Sequence, residues 1–465
     1  MRIKLGTPIR LCTIPDIVSG VASHPLPSLQ VVTHLSTNSA EVKPGDLFVA
    51  LTGDTHDGHH YIDAAIANGA AVILCRTGYV PHAKTAYYIY AEKPIEALAA
   101  LAQAYIDKIP HTTIAVTGSV GKTTTRHYIA TLLRQKYRVH ECPNNYNNLL
   151  GVSLTLLTAP PDIECLVLEL GMDGSGQISR LSRLVHPDIA VITNVGVSHI
   201  EKLGSQKAIC QAKLEILDGI RDGKLLIEGN DTYLSVCAPE NAITVSANCH
   251  GAMCHSAREA ICATGTTFDF LSPIGKWQNL HIPSLGRHTL SCALFAITVA
   301  QMLSLSEEQV REGLCRYEPV YQRQTTLYVG DITIVLDAYN ACPASMKGAI
   351  DTIKLLSDAS NGRAIALLGD MLELGPMSQR YHEEIGAYAA EIGVEYLFLV
   401  GSFSNAYRLG ALQADMNERN IICLSSAQAR EIVPYLAPHD ILLIKGSRKN
   451  KLELLLPDLQ KALTS

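Results

Sequence analysis

The sequence predicts an α/β protein of three domains, and three observations carry that prediction. The chain has 465 residues, about three domains' worth at roughly 100–200 residues each. Apolar strand-like runs alternate with helical ones along most of it, the pattern of a mainly parallel sheet. One glycine loop, Thr117–Thr125, follows a strand and opens a helix, the setting of a phosphate-binding loop.

The first domain is expected over 1–108. Asp46–Leu51 reads as a short strand, Ile62–Asn68 as a helix feeding a buried strand at Ala70–Leu74, and the Ala-rich Pro94–Tyr105 as a helix. Lys108-Ile109-Pro110 marks a boundary, because proline disfavours helix at the residue before it. The second domain, 109–318, opens with a strand at Thr113–Val116, then the glycine loop and a helix over Lys122–Gln135. Strands follow at Cys165–Glu169 and Ile189–Thr193, mixed β-structure over Leu225–Ile282, and a closing helix at His288–Leu303. The third domain, 319–465, repeats the α/β pattern with strands at Ile332–Leu336, Ala364–Leu368, Tyr396–Val400 and Ile441–Ile444. In open α/β sheets, ligands gather at the carboxyl ends of the strands.

Composition narrows the function. The formal charge of -6 is spread out with no basic tract, and one Trp and six Phe make a poor base-stacking surface, so nucleic acid is not an expected partner. The N-terminus lacks the apolar core of a signal peptide, and no run reaches the roughly 18 apolar residues of a membrane span. A cytoplasmic monomer that does not engage membranes is the expectation. The 13 cysteines are odd in number and scattered, as reduced thiols are. The cluster Cys249-His250, Cys254-His255 and Cys262 lacks the second ligand pair of a zinc ribbon or finger.

In the loop, Gly118 and Gly121 let the backbone N–H groups of Ser119, Val120 and their neighbours turn toward phosphate oxygens, and the helix N-terminus adds a favourable dipole. Lys122 can reach the β- and γ-phosphates, and the Thr123 hydroxyl, next to Thr124, can ligate Mg²⁺. The longer loop motif would place glycine at position 116, where this chain has Val116. Glu169 and His199 follow two further strands, at the carboxyl edge of the same expected sheet, and can complete a magnesium site. Taken singly, a strand-end Glu reads as a cap or ion-pair partner, a loop His as polar surface, and Lys213 as a solvated helix lysine.

The order T-G-x-x-G-K-T-T, E-x-G-M, N-x-G-x-x-H and a following helix lysine resembles the Mur ligases, ATP-dependent amide-forming enzymes of peptidoglycan assembly. Within that family it resembles the D-alanyl-D-alanine-adding type. Lys43–Ala50 is similar to that type's first-domain segment. So are Asn145–Gly151 (N-Y-N-N-L-L-G), Asp337–Met346 (D-A-Y-N-A-C-P-A-S-M), Leu368–Gly375 (L-G-D-M-L-E-L-G) and Lys445–Arg448 (K-G-S-R). The resemblance spans the chain.

The resemblance implies a three-domain Mur ligase architecture, with a central P-loop ATPase domain and a Rossmann-like C-terminal domain. The first domain would hold the UDP end of UDP-MurNAc-tripeptide, with Ser36 and Thr37 in contact. Asn145, Asn147 and Asn148 would contact the same substrate. The second domain would hold ATP and the third would bring D-Ala-D-Ala. The counterparts of Thr123 and Glu169 hold one Mg²⁺ in the family, and those of Glu169, His199 and Lys213 a second, with the lysine carbamylated. Asp337 and Asn340 would lie beside the nucleotide, and Arg323 near the transferred phosphate. Lys122, Lys213, His199 and Arg323 are thus the implied catalytic set.

Six positions depart from the family pattern. Ala40 stands where Arg is usual near the UDP contact. Thr289 and Cys292 replace two asparagines, the second an adenine contact. Cys342 replaces Asn, Ser153 a common Pro, and Gln322 a Gly. A paralogue joining another acid and amine, and a non-catalytic nucleotide-binding regulator, are the alternatives. Loss of Lys122, Glu169 or Lys213 would favour a regulator, and all three are present.

Overall fold

A computed structural model describes every residue except Asp54, Lys84, Asn144, Asn248, Ala263, Thr264, Ala427, Thr464 and Ser465, and all described side chains but that of Cys262. The described strands gather into three sheets. The first contains β1 (Arg2–Arg10), β2 (Val21–Ala22), β3 (Val31–Ser36), β4 (Leu47–Val49), β5 (Val72–Arg76) and β6 (Tyr87–Ala91), in the order β1-β3-β4-β5-β6-β2. Its β3 to β6 core is parallel, and β1 and β2 add antiparallel edges. The helix Pro94–Ile106 follows, with proline at its first turn, where a missing N–H does no harm.

The central sheet contains β7 (Thr112–Thr117), β8 (Val139–Glu141), β9 (Cys165–Glu169), β10 (Ile189–Ile192), β11 (Lys224–Glu228), β12 (Ile243–Ser246), β13 (Cys254–Cys262), β14 (Gly265–Ser272) and β15 (Gly275–Ile282). The order is β15-β14-β13-β12-β11-β10-β7-β9-β8, parallel from β8 to β13 and antiparallel beyond. The chain leaves β7 toward one side and later returns to its other side. β7 is therefore the switch strand, and β9 and β10 flank the crevice at its carboxyl end.

The third sheet contains β16 (Thr325–Val329), β17 (Ile332–Asp337), β18 (Ala364–Leu368), β19 (Tyr396–Val400), β20 (Ile421–Leu424) and β21 (Ile441–Lys445). Its order is β16-β17-β21-β18-β19-β20, parallel except for the β16–β17 hairpin. Asp337 on β17 and Leu368 on β18 both pair with Lys445 on β21, which brings three of the sequence signatures to one sheet edge.

Apolar packing divides differently from the sheets. One core runs from the first sheet into the central one, joining Leu98 and Leu101 to Val152, Leu156 and Leu168. The opposite face of the central sheet buries Phe268, Phe270 and Leu294. The third sheet has its own two cores, and Val197 of the central region packs against one of them.

The apolar strands fall within two residues of expectation, with shifts at the ends. The expected Asp46–Leu51 strand shortens to Leu47–Val49, because the Asp46 carboxylate accepts from Arg2 at 2.7 and 3.1 Å and from Lys43 N, closing a turn. Among the other expectations, Cys254 is turned into the core, and His255 Nδ1 lies 3.0 Å from the Ala252 carbonyl. The side chain of Cys262, the last member of that cluster, lies outside the described residues. No described helix is long and apolar enough to cross a membrane.

Candidate active site

The phosphate loop occupies the crevice beyond β7. Gly118 has φ 149°, and a Cβ there would stand 1.9 Å from Thr193 Oγ1, so only glycine fits. Val116 is a fully buried strand residue whose carbonyl accepts from Leu170 N at 2.8 Å. The strand therefore continues past the point where a longer loop would turn. Asn194 shapes the loop: Ser119 N donates to its carbonyl at 3.1 Å, Val120 N to its Oδ1 at 3.0 Å, and its Nδ2 donates back to the Val120 carbonyl at 3.0 Å. Gly196 N adds a bond to Ser119 Oγ at 2.8 Å. With Ser119 and Val120 so engaged, the amides of the N-cap Gly121 and of Lys122, Thr123 and Thr124, the first turn of the helix Lys122–Leu133, remain for an anion. Lys122 Nζ bridges the Gly118 and Ser119 carbonyls at 2.7 and 3.3 Å. Burial pulls its pKa down, partly opposed by Glu169.

Glu169 ends β9 one residue level below the loop and is 2% exposed. Its carboxylate accepts from Thr123 Oγ1 at 2.7 Å and from Asn147 Nδ2 at 2.8 Å. Gly171 makes room for this, since a Cβ there would lie 2.7 Å from Asn147 Cγ. The neighbouring Asn148 caps the helix Leu149–Thr158, accepting from Gly151 N at 2.9 Å. Consecutive asparagines of one motif therefore serve a carboxylate and a helix end.

Lys213, near the end of the helix Gln206–Leu214, is 1% exposed, and its side chain makes no hydrogen bond among the described residues. Burial, reinforced by the Lys122 charge, depresses its pKa well below the ordinary lysine value, against the pull of Cys210 and Asp231. Asp231 is itself fixed by accepting from Val195 N at 2.6 Å. His199 sits in left-handed backbone, φ 65°, and lines the cleft. Its Nδ1 is buried and 2.7 Å from Glu373 Oε2, a close approach off the line of a formed hydrogen bond. That contact holds the Glu373 carboxyl below its ordinary range.

The third sheet closes the other wall. Asp337 accepts from the buried Lys445 Nζ at 2.6 Å, and Lys445 also reaches the Asn340 carbonyl at 3.1 Å. The Arg323 guanidinium lies 4.1 Å from the Tyr339 ring centroid and extends Nη2 to Thr123 Oγ1 at 3.5 Å. The cleft holds about 2030 Å³, and Ser119–Thr124, Asn145, Asn147, Asn148, Glu169, His199, Arg323, Asp337 and Asn340 line it. Ser36 and Thr37 lie apart, at the end of β3, where Ser36 Oγ donates to the Asn38 carbonyl at 2.8 Å.

Four of the six departures have a visible local setting. Gln322 has φ 62°, a left-handed backbone that glycine adopts freely. Cys342 is the N-cap of the helix Pro343–Ser360, its N–H bonded to Ser345 Oγ at 3.0 Å. The Thr289 hydroxyl is turned back onto the Leu285 and Gly286 carbonyls, and Cys292, pushed up to about 11 by burial, lies over Gly121. Sequence reasoning passed over Asn194, Tyr339, Glu373 and Lys445, although all four lie inside quoted motifs. Asp231 carries no sequence signal at all.

Three family descriptions match the chain: "Mur ligase family, catalytic domain" over residues 31–106, "Mur ligase middle domain" over 116–300, and "Mur ligase, glutamate ligase domain" over 322–448. A UDP-N-acetylmuramoyl-tripeptide--D-alanyl-D-alanine ligase from Bacillus subtilis is 33% identical over 96% of this chain and 97% of its own. The protein of that name from Synechocystis is 31% identical over 90% and 89%. A crystal structure of MurF from Acinetobacter baumannii superposes with a TM-score of 0.89 at 25% identity, covering 99% of this chain and 100% of that one. A MurF ligase from Thermotoga maritima in complex with ADP gives 0.82 at 26%, over 92% and 97%. Three matched domains in order and similarity along the whole length lead to one conclusion: the chain belongs to the Mur ligase family.

Proposed function

We propose that the chain is an ATP-dependent ligase that joins D-Ala-D-Ala to UDP-MurNAc-tripeptide in peptidoglycan precursor synthesis, acting as a cytoplasmic monomer. The observation that carries this reading is the likeness, along nearly the whole chain, to ligases named for that reaction. We take 1–108, 109–318 and 319–465 as the domains holding the UDP end (Ser36, Thr37), ATP and the dipeptide.

The reaction begins when the terminal carboxylate of the tripeptide attacks the γ-phosphorus of ATP, and the bond to ADP breaks. Lys122 and the first-turn amides of the Lys122–Leu133 helix offset the charge on the transferring group. Arg323 reaches the same point from the third domain, its guanidinium oriented by Tyr339. Asn145 and Asn148, which line the cleft, would meet the acid substrate there, and Asp337 and Asn340 the nucleotide. The dipeptide amine then attacks the acyl phosphate, the carbon–oxygen bond breaks, inorganic phosphate leaves, and the amine gives up a proton. Exclusion of water by the closed cleft protects the acyl phosphate.

The donor set suits magnesium. Thr123 and Glu169 are oxygen ligands for one ion, and Glu169, His199 and Lys213 the set for a second. Lys213 fits only as a carbamate, and its burial lowers its pKa, which favours the neutral amine that carbon dioxide requires. Bound Mg²⁺ would supply charge neutralisation for the phosphates.

The test is phosphate release from ATP with UDP-MurNAc-tripeptide, with and without D-Ala-D-Ala. Release that depends on the dipeptide is expected; release indifferent to it would sink the assignment.

A further inference from the structure

We propose that Glu373 is a positioning residue lent by the third domain to the central one, fixing the His199 imidazole with Nδ1 protonated and Nε2 free toward the cleft. His199 Nδ1 is buried, and Glu373 Oε2 at 2.7 Å is its sole ionic contact among the described residues. His199 Nε2 makes no hydrogen bond there, while the residue lines the cleft. An imidazole whose one nitrogen gives its proton to a carboxylate offers the other as a lone pair, the arrangement common to histidine ligands.

The carboxylate is delivered by a braced loop. Asp370 accepts from Ser402 N and Phe403 N at 2.9 and 3.0 Å, Met371 N donates to His382 Nε2 at 2.9 Å, and Leu372 N to Ser447 Oγ at 3.1 Å. The third domain meets the His199 segment twice more. Gly375 is so close to Glu201 that a Cβ would stand 3.3 Å from its Cα, and Val197 packs into the third domain's core. The side chain of Glu373 is 57% exposed, free to turn into line with the ring N–H. Docking of the third domain therefore sets the histidine, and a separated third domain leaves it unset.

This inference rests on the metal reading of His199, and the experiment separates the two. Nitrogen-15 NMR of the His199 ring, assigned with His199→Gln, reads the tautomer in the full chain without nucleotide or metal. The Nδ1–H form is expected in the parent and in Glu373→Gln, whose amide oxygen still accepts. In Glu373→Ala the ring should move toward the Nε2–H form that free imidazole prefers. Mn²⁺ affinity in the presence of ADP should fall about tenfold or more in Glu373→Ala, with an unchanged melt. A parental tautomer in Glu373→Ala would overturn the proposal, as would equal disturbance in Glu373→Gln. Mn²⁺ affinity unchanged by His199→Gln would refute the metal reading while leaving the tautomer result standing.

Discussion

Lys213 shows how far a residue's chemistry can depart from its sequence appearance. On a helix beside Glu215 it reads as a solvated cation, and the fold buries its side chain with no hydrogen bond among the described residues. Its pKa lies below the ordinary 10.5 in the folded chain, so between those two values the unfolded chain binds more protons. Folding is then weakened by Lys213 progressively as pH falls through that window. In bicarbonate-free buffer, Lys213→Met is expected to melt above the parent near neutral pH and to lose activity. The gap in melting temperature should close as pH rises toward 10.5. A gap independent of pH would mean the buried lysine keeps its proton. Thr123 and Glu169 were readable because a loop and a strand end announce them. Lys213 was legible only through the family resemblance, since its surroundings come from Cys210, Asp231 and Lys122, two of them distant in sequence.

Elements explain the asparagine motif better than residues do. Asn147 belongs to the carboxylate it holds, and Asn148 to the helix it starts. Asn148→Ala should cost about 1 kcal/mol of stability, as lost N-caps do, while Asn148→Asp keeps the cap and the stability. Thermal melts check this, and KM for the acid substrate, measured in the Asp variant, isolates any substrate contact. A raised KM at parental stability is the expected result. At this scale the sequence was legible wherever a strand is buried on both faces: Cys165–Glu169, Ala364–Leu368 and Tyr396–Val400 fall as read. β1 escaped because it is an edge strand carrying Gly6 and Pro8 with mostly part-exposed residues, so neither apolar run nor clean alternation marks it.

Across the whole molecule, the first two sheets share a core and the third stands on its own. The link between them passes through Gln322 and Gln324, two non-glycine residues at φ 62° and 54°, next to Tyr321 at 60% exposure. Chymotrypsin is therefore expected to cut first at Tyr321, releasing the third domain, and ATP with the acid substrate should slow that cut by holding the domain closed. Equal cleavage rates with and without the ligands would count against a hinge there. No sequence pattern announces this division of cores, because which apolar faces meet is settled only when the chain is folded. The shared core of the first two domains has a metric consequence. In the function proposed above, one of these domains holds the sugar nucleotide and the other the γ-phosphate, and the shared core ties the two sites together. On that reading the pair would act as a gauge of span, and a peptide stem one residue short or long would present its carboxylate at the wrong mark.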